Sequence, residues 1–436
     1  MKKCLLIFSY LLPSLLFAQN NDTNYKTAQE RGQQIFTNLE AKTFDKLNSY
    51  FSEELRKKLT VNKLEETFKD FSTKYGTPDS LLEFVEKVTA EQTYYEQGIQ
   101  FSNGKMDVVF ALNEAKELTT LRVVPYSDKT KWKIPNYVNP QQFDAYPIKL
   151  GSEMPLLGEF TKPVRPESLV VVVMVHGSGP NDMNESLGPN QIFKDLAYGL
   201  ASNGIASLRY NKRSYDYKKT IIKSGKQYDI DQIVTNDAVK AVNKAKELGA
   251  DKVVLLGHSL GGHLAPKIAS QAKVDGVIIM AGNVSPLEDL ILPQIDYLRK
   301  HDSSAINQMQ YNQLKWQVEN LKKGNYDSTT AGPMLPFGAG GKFWSSLKDY
   351  QPQKISKKQD VPYLILNGER DYQVTVQEAK KWKDGSKNEN SKTIIYPQLN
   401  HLFIAGEGII LPAEYEKEGH VEKEVIMDIV NWVSQL

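Results

Sequence analysis

The stretch Gly257-His258-Ser259-Leu260-Gly261 fits G-x-S-x-G, and its surroundings point to a reactive serine. The run "KVVLL" before it reads as a strand, and "GGHLAPKIAS" after it reads as the start of a helix. Small residues on both sides let the backbone take a strained turn that presents the Ser259 hydroxyl at the strand's carboxyl end. The helix start favours developing negative charge there, and the Leu260 amide is placed to donate to an oxyanion. A serine hydroxyl is a weak nucleophile until a base takes its proton. Of six histidines, His258 adjoins the serine and points the wrong way, and His263 lies a turn into the next helix. His301 and His420 sit in helical, charged stretches, and His176 ends an apolar strand. His401 follows the last apolar strand, in "YPQLNHLF". Asp371, in "GERDYQV", also follows a strand; a carboxylate there would fix the imidazole's tautomer and stabilise its charged form. Glu369 is the nearest competitor, and Asp349 is a poorer one.

These side chains meet only if the strands before them share one sheet. Short apolar runs recur at residues 168–175, 205–210, 251–257, 275–282, 361–368 and 392–397, with helical patterns between most of them. Continuous apolar strands alternating with helices predict a parallel sheet buried on both faces, an α/β architecture. The carboxyl ends of such strands open on one crevice, which is the physical reason to group Ser259, Asp371 and His401. Residues 283–360 are too long for a simple crossover. They read as a helical insertion followed by the Gly/Pro/aromatic-rich "AGPMLPFGAGGKFW" at 331–344. The insertion is expected to form a lid whose Met334, Phe337, Phe343 and Trp344 line an apolar pocket.

The chain order Ser259, Asp371, His401, with G-x-S-x-G on a strand–turn–helix, resembles the α/β-hydrolases of the bacterial esterase and lipase type from about Tyr146 to Leu436. "HGSGP" (176–180) resembles that family's oxyanion loop, which implies a second oxyanion donor at the Gly177 or Ser178 amide. Serine at 259 argues against the dienelactone hydrolases, which share the fold but carry cysteine there. "RYNKRSYDY" (209–217) departs from the Arg-Gly-x-Gly loop of related esterases, and "NDMNES" (181–186) reads as either a substrate contact or a solvated loop. The resemblance implies a serine carboxylesterase acting on a small-molecule ester through an acyl-enzyme, with no metal or organic cofactor. A peptidase of the same fold acting on short peptides is the second reading, and a non-catalytic binding protein the third.

Upstream, residues 25–130 place Ile35, Leu39, Leu47, Tyr50, Phe51 and Leu55 at helical spacing. Strand patterns follow from Leu81 to Val124, with an Asn103-Gly104 hairpin signal. This predicts a small α+β domain, which resembles nuclear-transport-factor-2-like or cystatin-like domains. It carries no catalytic constellation and is the expected place for a homodimer contact. Residues 131–147, with three prolines, read as a linker to a hydrolase domain over 148–436.

The first residues, "MKKCLLIFSYLLPSLLFAQ", combine Lys2 and Lys3 with an apolar run and Ala18. They read as a signal peptide over residues 1–18 and imply an exported protein, periplasmic or extracellular, without stable membrane insertion after cleavage. The chain carries 54 basic and 52 acidic residues, and the leader holds two of the basic ones and no acid, so the mature chain is electrically balanced. That gives no electrostatic basis for binding nucleic acid. The one cysteine, Cys4, lies in the leader, which removes disulfides and thiolate chemistry from the mature chain.

Overall fold

The computed structural model describes residues 14–126, 132–302, 304, 306–382, 388 and 391–436, with burial described from residue 24. The leader at residues 1–18 falls outside the described residues as far as residue 13. The chain divides into two compact units, Met1–Lys129 and Thr130–Leu436.

In the first unit, helices α1 (Ser14–Glu40), α2 (Phe44–Ser49), α3 (Glu53–Lys58) and α4 (Val61–Tyr75) precede an antiparallel meander. Its strands are β1 (Pro78–Val88), β2 (Thr93–Phe101), β3 (Gly104–Leu112) and β4 (Leu118–Pro125), paired in chain order. The Ser52 and Thr60 side chains cap α3 and α4 by accepting from the Leu55 and Lys63 amides. Ile35, Leu39, Leu47 and Phe51 are buried with Ile99, Phe101 and Phe110 of the sheet, while Tyr50 and Leu55 are half-buried at its margin.

The second unit begins earlier than its sequence suggests. Residues 131–147 are not a free linker over their described part. Trp132 Nε1 donates to Asp195 at 2.7 Å, Tyr137 Oη donates to the Val421 carbonyl at 2.7 Å, and Val138 and Phe143 are buried. The prolines and missing period reflect a segment held by individual side chains. Strands β5 (Phe143–Leu150) and β6 (Leu156–Pro163) follow as an antiparallel pair at one sheet edge. Then come β7 (Val170–Val175), the short hairpin β8 (Ser186–Leu187) and β9 (Asn190–Gln191), α5 (Ile192–Ala201) and β10 (Ala206–Tyr210). Helices α6 (Arg213–Asp216), α7 (Lys218–Ser224) and α8 (Asn236–Glu247) lead to β11 (Lys252–His258), α9 (Leu260–Gln271) and β12 (Gly276–Met280).

The insertion expected over 283–360 holds α10 (Leu287–His301), α11 (Gln308–Lys322), α12 (Gly341–Leu347) and α13 (Pro352–Ser356). After it run β13 (Tyr363–Gly368), α14 (Val376–Trp382), β14 (Lys392–Tyr396) and α15 (Lys423–Val433). Among the described residues the main sheet has eight strands in the order β14-β13-β12-β11-β7-β10-β6-β5, parallel from β14 to β10.

Alternation along the strands builds two cores. Val171, Val173 and Val175 pack with Ala238, Ala241 and Val242 of α8 and Leu264 and Ile268 of α9. Val172 and Met174 face the other way, onto Ile192, Leu196 and Leu200 of α5 and Ile426 and Ile429 of α15. Burial on both faces leaves the strand ends as the place where polar side chains can collect. Among the described residues no helix is long and apolar enough to cross a membrane.

Candidate active site

Ser259 sits between β11 and α9 with φ 51° and ψ −115°, a conformation that β-carbon sterics disfavour. The neighbouring glycines make it attainable. A side chain at Gly257 would begin 2.3 Å from the Gly261 carbonyl oxygen, and one at Gly261 would begin 2.1 Å from the Val175 carbonyl oxygen. The Ser259 amide donates to the Met280 carbonyl at 2.9 Å, which ties the turn to β12.

Asp371 and His401 come from the loops after β13 and β14, adjacent parallel strands. His401 Nδ1 donates to Asp371 Oδ2 at 2.6 Å, and both residues are buried. The other carboxylate oxygen of Asp371 accepts from the Gln373 and Val374 amides at 2.8 and 2.9 Å. A carboxylate held this way fixes the imidazole with its Nε2 lone pair available as a base. Glu369, the competing carboxylate, is exposed, and so is Asp349.

A second brace joins the same two loops. Arg370 forms a two-pronged pair with Glu414 at 2.9 and 2.7 Å, and Glu414 accepts from Asn400 Nδ2 at 3.0 Å. Asn400 Oδ1 in turn accepts from the Leu402 and Ile404 amides, which sets the turn that carries His401.

The loop after β7 lies against Ser259: a side chain at Gly177 would begin 3.1 Å from Ser259 Cβ. One oxyanion expectation is corrected here. The Gly177 amide donates to Glu185 Oε1 at 2.6 Å, so it is already committed, whereas Ser178 lines the cavity beside Ser259 and Leu260. The "NDMNES" loop is not solvated throughout, and its Asn181, Glu185 and Ser186 line the same cavity as Ser259. Asp182 closes a turn on the Asn184 and Ser186 amides, and Glu185, at φ 49°, is driven inward until it is buried.

The other histidines have separate environments. His258 is buried, donates through Nε2 to the His401 carbonyl at 2.9 Å and lies 3.2 Å from Glu185 through Nδ1. Burial works against its charge, but the Glu185 carboxylate and its hydrogen bond outweigh that and raise its pKa. His176 and His263 are lowered to about 4 by burial, so both are neutral at neutral pH. His420 pairs with Asp195 at 3.1 Å, and His301 lies against Tyr297 on α10 with the rings tilted at 54°.

Ser259, Leu260, Ser178 and His401 open on a cavity of about 850 Å³. Phe337, Phe343 and Trp344 line it, and Met334 does not. It closes the short turn Gly332–Met334 and is 49% exposed, because that turn aims it at solvent. Trp344 also belongs to the insertion's own core, with Ile291, Val318, Leu321 and Leu335. Lining residues that the sequence did not single out include Leu287 and Ile291 of α10 and Ile221 and Ile222 of α7. Their only sequence signal is an amphipathic period that many helices share.

The family model described as serine aminopeptidase, S33, matches residues 166–407, a span that takes in Ser259, Asp371 and His401. The chain is similar to Esterase EstD of Thermotoga maritima, 33% identical over 397 residues that cover 91% of this chain and 92% of that protein. Among solved structures it is similar to Est1E from Butyrivibrio proteoclasticus, with a TM-score of 0.45 and 15% identity over 66% of this chain and 97% of that one. It is also similar to proline iminopeptidase of Mycobacterium smegmatis, with a TM-score of 0.41 and 14% identity over 66% of this chain and 98% of that one. The family match, together with the relative that runs alongside nearly the whole chain, establishes that this protein belongs to the serine aminopeptidase, S33, family and has the α/β-hydrolase fold.

Proposed function

We propose that the chain is a carboxylic ester hydrolase that works through an acyl-enzyme on Ser259, exported by its leader. The observation that carries the reading is the 2.6 Å Asp371–His401 pair on the same cavity as a serine held at φ 51°. His401 Nε2 takes the Ser259 proton as Oγ attacks the ester carbonyl. The Leu260 and Ser178 amides receive the charge that develops on the carbonyl oxygen. The proton then passes from His401 to the departing alkoxide, and a water activated by His401 releases the acid from the acyl-enzyme.

The family description raises aminopeptidase activity as a second reading. An aminopeptidase must hold a free α-ammonium, which calls for an uncommitted carboxylate near the serine. Glu185 is the acid among the cavity's described lining residues, and it is already engaged by the Gly177 amide and His258. Much of the remaining lining is apolar, which suits acyl chains or rings. The similarity to Esterase EstD supports the same choice.

Four measurements test the proposal. Ser259→Ala should lower kcat on p-nitrophenyl esters by roughly 10⁴- to 10⁶-fold, and a fluorophosphonate should label Ser259. The wild-type protein should prefer those esters to aminoacyl p-nitroanilides. Faster cleavage of the anilides, or labelling elsewhere, overturns the reading. N-terminal sequencing of protein recovered outside the cytoplasm should start close after Ala18; a first residue of Met1 there contradicts the cut.

A further inference from the structure

The segment "RYNKRSYDY" lacks the glycines of related esterases, and the structure shows polar side chains there instead. Lys212 is buried at 4% exposure, and its Nζ donates to the Gly177 carbonyl at 2.6 Å. Its own amide donates to the Asn181 carbonyl at 3.0 Å, and Asn181 Nδ2 adds a longer bond of 3.3 Å to the same Gly177 oxygen. Beside it, Asn211 Oδ1 accepts from the Met183 amide at 2.7 Å. The strand end of β10 therefore holds the 177–185 loop through side chains.

The Gly177 carbonyl and the Ser178 N–H belong to one planar trans peptide, so they point in opposite directions. Whatever fixes the carbonyl also fixes the direction of the Ser178 N–H. A cation on the carbonyl oxygen further polarises that peptide and makes its N–H a stronger donor. Glu185 fixes the preceding peptide by accepting the Gly177 amide, so both sides of Gly177 are anchored to buried charged groups.

We propose that Lys212 is a positioning residue for the oxyanion site, aiming and polarising the Gly177–Ser178 peptide so that the Ser178 amide meets the developing oxyanion. The assignment rests on Ser259 being the nucleophile and Ser178 a donor. It also accounts for the placement of the lysine. Taking an ammonium out of water opposes folding, and here it spends a donor on a neutral carbonyl while Glu185 compensates its charge from farther off. Burial lowers the lysine's pKa to about 8, so most of it is charged at neutral pH.

The test compares wild type with Lys212→Met, which keeps length and removes both charge and donor. On p-nitrophenyl butyrate the variant should lose about 10- to 100-fold in kcat with KM changed less than about two-fold, since the interaction acts on the transition state. Affinity for an alkyl trifluoromethyl ketone, whose serine adduct carries the same oxyanion, should fall in parallel with kcat/KM. Fluorophosphonate should still label Ser259 in both proteins, and failure of that label in wild type would instead refute the nucleophile. Lys212→Gln, which keeps a donor without the charge, serves if the methionine variant does not fold, and should lie between the two. A folded variant with unchanged kcat and ketone affinity overturns the proposal. So does a rise in KM alone, or a chain that folds with neither substitution, which would make Lys212 a folding residue.

Discussion

Asp371 and Glu369 show how little of a residue's role lies in its type. Both are carboxylates in the loop after β13, two positions apart, yet Asp371 is buried against His401 while Glu369 faces solvent. Asp371→Asn keeps size and packing but turns the His401 tautomer, so kcat should fall roughly 10³- to 10⁴-fold with the fold retained. Glu369→Gln should change kcat by less than about three-fold, because an exposed carboxylate there touches nothing that reacts. Steady-state kinetics of the two variants, with circular dichroism as the folding check, decide the assignment. The reverse pattern of losses would hand the role to Glu369.

At the scale of elements, the insertion has two kinds of aromatic residue. Phe337 is 71% exposed at the cavity, whereas Trp344 is 3% exposed and packs among Ile291, Val318, Leu321 and Leu335. Phe337→Ala should shift the preferred acyl-chain length while the thermal midpoint stays within about 2 °C, since little buried surface is lost. Trp344→Ala removes a buried indole and should cost about 3 to 5 kcal/mol of local packing. The insertion should then loosen, seen as faster amide hydrogen exchange in α10 and α11. Equal thermal effects of the two substitutions would show that the insertion has no core of its own. The brace Arg370–Glu414–Asn400 belongs to this scale too, since it fixes one loop relative to another.

At the scale of the whole molecule, each unit has its own buried cluster, so each should fold by itself. A chain starting at Thr130 should fold and hydrolyse a small ester with kcat within about five-fold of the full chain. A chain starting at Phe143 should be less stable. It lacks the Trp132 bond to Asp195 and the Tyr137 bond to Val421, and it strips apolar cover from α5. Thermal denaturation of the two shortened proteins checks this, and equal midpoints would return residues 132–142 to the status of a tether.

The sequence alone determined the alternation of strands and helices, because burial on both faces demands continuous apolar runs that no loop would tolerate. It also determined the serine turn, since only small residues fit at Gly257 and Gly261 beneath a strained Ser259. Strands β5 and β6 escaped it: β5 is an edge strand buried only at Phe143 and Leu150, and the buried positions of β6 include Gly158, Thr161 and Pro163, which make no apolar run. The tertiary structure alone decided which of two carboxylates reaches His401, and that the Gly177 amide is taken while Ser178 is left facing the cavity. It also decided that Glu185 and Lys212 are buried on either side of Gly177. The contacts of Asp371 with His401 and of Lys212 with Gly177 join separate segments of the chain, and that of Glu185 with Gly177 closes a loop on itself. Periodicity and composition report on burial within one segment and carry no information about which buried groups come to face one another.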